Sequence, residues 1–496
     1  MSTVQHLSPD AVINSFMVGH WLGGDGDPFA SYNPSTHGLI RSGHFATIEQ
    51  AREAVLHLRS NQPQWEATSI ESRRAILTRF TELIYANEPQ LTQLVADEVG
   101  KPLWEAATEV NAVRAKLAPT LDFNERRAST LVSNLSGMRS VTRFRPLGVV
   151  SVISPFNFPL SMLNTHVMPA LLAGNSVVIK PSEHAPVLAT RYVELLLEAG
   201  VPSNVVALLH GGPEIARELA RLSDGLYLTG SRAAGESILS SIHDRTDVLL
   251  ALEMGGNSPL VIWDYDDLDV PVWGAIQSGY ISAGQRCSAA RRIILPAEDT
   301  HFVPRLAEVT ASLLVDVPLA ATQPFVGPLI SPQAVTALER RYNELLRLGA
   351  KEIVPLTVVN REANLVRPSI LDVSGISMSD EEHFGPLLLI QRVQSIEKAI
   401  EVANETRYGL AAGIYCRTRE VYERFRNGTR AGIVNWNQAL TGAVGVAPFG
   451  GVKDSGNYRP GGSLSVDYCV YAVASLEVEE PTLPAILPPG VRLGGQ

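Results

Sequence analysis

GLYLTGSRAAG, residues 225–235, reads as an apolar strand that runs through a short turn straight into a helix. A strand with almost no polar face belongs in a sheet covered on both sides, as in parallel βαβ construction. Outward from it the pattern repeats: LGVVSVI (147–153), NSVVIK (175–180), NVVALL (204–209) and DVLLAL (247–252) are similar strands. Helical stretches at 188–198 and 214–222 lie between them. The outline is a Rossmann-like dinucleotide domain. Its usual G-x-G-x-x-G turn is missing and GSRAAG (230–235) stands in its place; by spacing alone such a turn is no more than a helix cap.

The flanking chain divides in the same way. Turn formers and short apolar runs at 17–45 predict one or two hairpins. Thr47 with Gln50 predicts a capping box ahead of a helix over 51–58. Ile76, Phe80, Leu83 and Ile84 share one helical face, as do Leu91, Leu94, Val95 and Val99, with Gly100 as the C-terminal stop. Beyond 253 a second α/β unit follows, with strands at 259–263, 291–295, 386–393 and 431–435, a long helix over 332–348, and a last strand over 467–478. A proline-rich stretch, PTLPAILPPG, follows.

Composition narrows the function. The 496 residues are 45% hydrophobic and 19% charged, ordinary for a globular enzyme and unlike a disordered chain. The formal net charge is −10 with no long basic run, which argues against nucleic acid as a partner. Three unevenly spaced cysteines imply a reducing compartment and no disulfide framework. MSTVQHLSPDAV lacks the features of an export signal. Residues 146–179 hold no Asp, Glu, Lys or Arg and are long enough to cross a bilayer, but Pro155, Pro159, Pro169, Asn157, Asn164 and Asn175 interrupt them. A buried strand–turn–helix–strand unit fits better, so the expectation is a cytoplasmic protein without a membrane segment. The histidines are scattered without ligand spacing, and no metal site is expected.

GQRCSAARR (284–292) places Cys287 among small residues, where a carbonyl can approach the sulfur. Arg286, Arg291 and Arg292 are expected to favour the thiolate there. A lone cysteine is ordinarily a buried structural thiol. LEMGGNSPL (252–260), however, places Glu253 on a glycine-rich turn 34 residues earlier, and a thiol and a carboxylate on two turns form a covalent-catalysis pair when the fold joins them.

SPFNFP (154–159), KPSE (180–183), TGS (229–231), LEMGGNSP (252–259), GQRC (284–287), EHFGP (382–386) and PFGG (448–451) together resemble, in order and spacing, the NAD(P)-dependent aldehyde dehydrogenase superfamily. The resemblance implies an α/β aldehyde dehydrogenase-like fold: a Rossmann-like cofactor domain, an α/β catalytic domain and a small β oligomerisation arm. By that likeness 1–122 and 145–252 bind NAD, 253–437 are catalytic, 123–144 and 465–484 form the arm, and 485–496 are a tail. It further implies Cys287 as nucleophile, Glu253 as base for the hydrolytic water and Asn157 as oxyanion donor. Lys180 and Glu183 match the adenosine-ribose pair, and a carboxylate there favours NAD over NADP. Gly230, Ser231, Arg232, Ala233, Ala234 and Gly235 match the pyrophosphate turn at a helix N-terminus. Glu382, in a register counted back from FGP and one residue from Glu381, matches the nicotinamide-ribose ligand, and Phe384 a ring beside the nicotinamide. A small aldehyde is the implied substrate and a homodimer or homotetramer the implied assembly.

KPLWEAATEV (101–110), NTHVMPALLAGN (164–175), AGIVNWNQALTGA (431–443), SGNYRP (455–460), DYCVYAVASLE (467–477) and LPAILPPG (483–490) resemble one branch of that superfamily, the N-succinylglutamate 5-semialdehyde dehydrogenases of arginine catabolism by the succinyltransferase pathway. A substrate with two carboxylates meeting a protein of net charge −10 needs local cations, and Arg459 is the candidate anchor. The chain departs from the branch at Tyr458, at Lys453-Asp454, and at Ser288-Ala289, where an extra cysteine is common. Alternatives are a dehydrogenase of another semialdehyde or an aromatic aldehyde, a thiol hydrolase without cofactor, and a non-catalytic binding or structural relative.

Overall fold

The computed structural model describes residues 12–442 and 444–493. The first eleven residues, part of the stretch read as carrying no export signal, Ala443, and 494–496 of the tail lie outside the described residues.

Two seven-stranded sheets organise the chain. In the first, Leu249–Glu253, Gly225–Thr229, Val149–Ile153, Ser176–Lys180 and Val206–Leu208 run parallel in that spatial order. The hairpin Ser15–Met17/His20–Leu22 continues the sheet antiparallel. Four of the five parallel strands are buried at every position, as their mostly apolar character requires. Side chains alternate between two cores. Val150, Val152, Val177 and Ile179 pack with Phe80, Leu163, Leu188 and Tyr192 on one side. Val149, Val178, Leu226 and Leu228 pack with Ala51, Val55, Leu219 and Ile238 on the other. From Val149–Ile153 the chain steps outward in one direction and then restarts on its other side at Gly225–Thr229. That reversal opens a crevice beyond the carboxyl ends of the two strands, where open α/β sheets take their ligands.

Local signals hold. The Thr47–Gln50 capping box starts a helix that runs from Ile48–Glu66, longer than predicted. Gly100 closes Glu88–Val99 at φ +83°. The uncharged span at 146–179 resolves into Val149–Ile153, helix Ser161–Ala173 and Ser176–Lys180. Among the described residues no helix is long and apolar enough to cross a membrane.

The second sheet runs Lys351–Val354, Ser369–Asp372, Leu387–Val393, Ala290–Pro296, Ser258–Ile262, Ala411–Tyr415 and Ile433–Trp436, parallel except for the first strand. Ala411–Tyr415 is an addition to the strands read from sequence, and Ser465–Tyr468 is a 3₁₀ turn preceding the last strand, Val470–Glu477. That strand pairs with Met138–Pro146, which pairs with Leu131–Leu135, in a separate three-stranded sheet. Leu131, Val132, Leu135, Val473 and Leu476 are exposed on it.

The sheets meet end to start. Glu253 is the last residue of a first-sheet strand, Ser258 opens a strand of the second, and Cys287 lies three residues before Ala290–Pro296.

Candidate active site

A cavity of about 500 Å³ opens at that junction. Ile153, Phe156, Asn157, Leu228, Gly230, Ser231 and Ala234 line its walls, Lys180 and Glu183 one part, and Cys287, Glu382 and Phe384 another. Five motifs far apart in sequence thus share one space.

Cys287 is partly exposed and emerges from the tight turn Ile281–Gly284. The turn is pinned at most of its carbonyls. Arg291 donates to Gly284 (2.7 Å) and Arg286 (2.9 Å), Gln285 to Ser282 (3.2 Å), and Asn157 Nδ2 to Gln285 (2.9 Å). The amide of Asn157 therefore sits against the turn that leads into Cys287. Burial, with the charges of Glu382 and Glu253 added to it, pushes the Cys287 thiol up to about 12. Arg291 and the Ser288 N–H pull the other way.

That corrects the expectation of a thiolate made by three arginines. Arg286 is spent on Glu105 at 2.9 Å, and Arg292 on the carbonyls of Asn257, Val402 and Ala403. Only Arg291 acts on the sulfur, and burial outweighs it.

Glu253 is buried, and burial raises its carboxyl to about 8, opposed by the Gly461 N–H. Oε1 accepts that N–H at 2.9 Å; Oε2 is buried without a hydrogen-bond partner among the described residues. A buried carboxyl oxygen without a partner is unfavourable unless a ligand or water completes it. Burial also raises Glu382, which accepts the Gly256 N–H at 3.1 Å. Its neighbour Glu381 pairs with Arg340 instead, which resolves the register left open by EHFGP. Phe384 packs edge-on to Phe156, with the Arg291 guanidinium over its ring.

At the other end the Lys180 ammonium is buried, bound to the carbonyls of Pro181 (2.8 Å) and Gly211 (2.6 Å) and to Glu183 (3.2 Å). Ser231 caps helix Arg232–Ser241 by accepting the Ala234 N–H. The Gly230 N–H donates to the Glu253 carbonyl at 2.9 Å and so ties the two turns together. Of the six residues at 230–235, Gly230, Ser231 and Ala234 border the cavity. Arg232 does not: its guanidinium is taken by Asp454 (2.9 Å) and Glu236 (2.5 Å). Ala233 lies outside the lining, and Gly235 packs so closely on Met254 that a Cβ would stand 2.3 Å from its sulfur. A carboxylate, a helix N-terminus and a thiol lining one elongated space suit a dinucleotide.

The aldehyde dehydrogenase family profile matches residues 21–473. The chain belongs to the aldehyde dehydrogenase family. It is 43% identical over 482 residues to an N-succinylglutamate 5-semialdehyde dehydrogenase of Burkholderia ambifaria, covering 96% of this chain and 99% of that one. Among solved structures, an E. coli NADP-dependent enzyme matches with TM-score 0.89 at 28% identity, over 94% of this chain and 98% of that one. A P. syringae indole-3-acetaldehyde dehydrogenase mutant in complex with NAD+ and IAA also matches with TM-score 0.89, at 27% identity over 94% and 96%.

Two features of this aldehyde dehydrogenase escape sequence reading. Lys453 and Asp454, unusual for the branch, do structural work: Lys453 holds the Asn404 and Thr406 carbonyls and Asp454 holds Arg232. Glu253's donor, the Gly461 N–H, is a backbone group with no side-chain signal. Arg459, two residues away, is exposed, borders no part of the cavity above, and has no ion pair among the described residues.

Proposed function

We propose that this aldehyde dehydrogenase oxidises N-succinyl-L-glutamate 5-semialdehyde to N-succinyl-L-glutamate with NAD, in arginine catabolism by the succinyltransferase pathway. The observation that supports it most is that Cys287 and Asn157 line one dinucleotide-sized cavity, with the Glu253 carboxyl close enough to act electrostatically on the thiol. The likeness over 96% of the chain to an enzyme of that name supports the substrate.

In this reading Cys287 Sγ passes its proton to a solvent water and bonds to the aldehyde carbon, whose C=O π electrons move onto oxygen, giving the thiohemiacetal. Its oxyanion faces the second Asn157 amide hydrogen and the Cys287 backbone N–H, and one such donor is worth about 100- to 1,000-fold in rate. Bound NAD supplies the hydride acceptor, leaving a thioester on Sγ. Glu253 in its ionised form then takes a proton from water. The resulting hydroxide adds to the thioester carbon, the C–S bond breaks, and the acid leaves. Glu183 hydrogen-bonds free ribose hydroxyls and repels a 2′-phosphate, which favours NAD over NADP.

We further infer a cytoplasmic homodimer or homotetramer, with 123–144 and 465–484 as the arm, 1–122 and 145–252 as cofactor domain and 253–437 as catalytic domain. The exposed apolar side chains on the three-stranded sheet support the arm.

Initial rates of NADH formation across an aldehyde panel, with NAD and NADP in parallel, test the assignment. The succinylated semialdehyde is expected to have the highest kcat/KM, with NAD preferred. If benzaldehyde or succinate semialdehyde exceeds it by about tenfold, a difference of 1.4 kcal/mol, the substrate assignment fails. Arg459→Ala is expected to raise KM for the succinylated substrate by about 10- to 100-fold, the value of a hydrogen bond to a charged group, without affecting an uncharged aldehyde. An unchanged KM removes Arg459 as the anchor.

A further inference from the structure

Helix Leu103–Ala115 buries two glutamates one turn apart, Glu105 and Glu109, on the face that also carries Ala106, Val110 and Val113. Carboxylates are seldom fully buried unless paired, and these two are paired with different halves of the active site. Glu109 bonds Lys101 and accepts the N–H groups of Leu160 (3.0 Å) and Ser161 (3.4 Å), which fixes the segment immediately after Asn157. Glu105 reaches across to the nucleophile's turn. It accepts the Ser282 N–H at 3.1 Å and the Ser282 hydroxyl, and pairs with Arg286 at 2.9 Å. Arg286 closes the loop by donating to Ser282 Oγ at 2.8 Å. The cationic partners of both carboxylates meet the Phe158 ring, with Lys101 Nζ 3.8 Å and the Arg286 guanidinium 4.9 Å from its centre.

The turn needs such a hold. Ser282 and Ala283 are consecutive non-glycine residues at φ +56° and +53°. L-residues visit that left-handed region rarely and singly, because Cβ crowds the following carbonyl. Two in a row persist only where the surroundings over-determine them, and such strain gathers at active sites. They stand five and four residues before Cys287, so relaxation of either re-aims the thiol. Among the described residues Glu105 is the one group outside 281–292 that hydrogen-bonds Ser282.

We propose that Glu105 is a positioning residue for Cys287: it holds the left-handed turn at Ser282 and Ala283 and sets the thiol against the Asn157 amide, whose own segment Glu109 anchors on the same helix. This rests on Cys287 being the nucleophile. Glu105 touches neither substrate nor cofactor; it acts through the backbone.

The test measures kcat, NAD affinity by fluorescence titration, and the rate of Cys287 alkylation by iodoacetamide in the free enzyme. Cys416 and Cys469 are buried, so alkylation reads Cys287. Glu105→Gln keeps the shape but turns one acceptor into a donor facing Ser282 and Arg286. It is expected to lower both kcat and the alkylation rate by about tenfold or more while NAD affinity holds within about twofold, since small misplacements at a reacting centre are costly. Ala283→Gly, which removes the left-handed penalty, is then expected to restore much of both rates in the double variant. General loosening of the fold would not be cured by a glycine. Glu105→Asp, which keeps a charge for Arg286 but is one methylene short of Ser282, is made alongside in case Glu105→Gln does not fold, and the same slowing and the same rescue are expected. Alkylation needs no aldehyde, so a parent enzyme that alkylates but oxidises nothing counts against the proposed function and not against Glu105. An unchanged alkylation rate in the folded Glu105 variants, or double variants no faster than the single ones, would overturn the proposal.

Discussion

Cys287→Ala is expected to abolish NADH formation, lowering kcat by roughly four orders of magnitude or more, as removal of a nucleophile does elsewhere. NAD affinity should be nearly unchanged, because the sulfur takes no part in the Lys180–Glu183 pair or in the Ser231-capped helix terminus that line the same cavity. No other thiol can take over. Cys416 is buried against the Thr418 carbonyl, and Cys469 lies in a closed cluster with Tyr227, Tyr468 and Lys116. Stopped-flow absorbance with a fluorescence titration of NAD checks both halves. Substantial residual turnover would remove Cys287 from the chemistry, and a large loss of NAD affinity would mean that it shapes the cavity instead.

Glu253→Gln is expected to separate the two half-reactions. The first turnover keeps its speed, giving a burst of NADH, and the steady state falls by about 100- to 10,000-fold, the usual contribution of a positioned base. The pH dependence follows from burial. Because burial raises the carboxyl to about 8, the ionised form that can accept a proton grows as pH rises through that value. The steady-state rate of the parent enzyme should therefore climb towards pH 8 when hydrolysis limits turnover, and Glu253→Gln should flatten that limb. A variant equally slow in its first turnover would place Glu253 before hydride transfer.

The legible parts of this molecule are those written locally. Val149–Ile153, Ser176–Lys180 and Gly225–Thr229 announce a covered parallel sheet because every position but Lys180 is apolar, aromatic or small. Thr47 and Gln50 cap each other across three residues, and Gly100 marks a left-handed stop. Ala411–Tyr415 escaped because AAGIY is short and small, and its position between Ser258–Ile262 and Ile433–Trp436 is set by pairing across some 20 to 150 residues of chain. The three arginines near Cys287 misled for the same reason: proximity in sequence says nothing about where a guanidinium points, and Glu105, 181 residues from Arg286, decides it. Glu105 and Glu109 did leave a trace, as two acids at helical spacing among apolar neighbours in KPLWEAATEV. That pattern marks a buried polar face, although not what the face touches.

The most direct measurement is mass spectrometry of the Cys287 peptide after Glu253→Gln enzyme is mixed with NAD and N-succinylglutamate 5-semialdehyde and quenched in acid. The peptide is expected to gain the mass of the aldehyde less two hydrogen atoms, the signature of a thioester on Sγ, in near-stoichiometric yield. An unmodified Cys287 peptide from enzyme that has already released a burst of NADH would contradict the account.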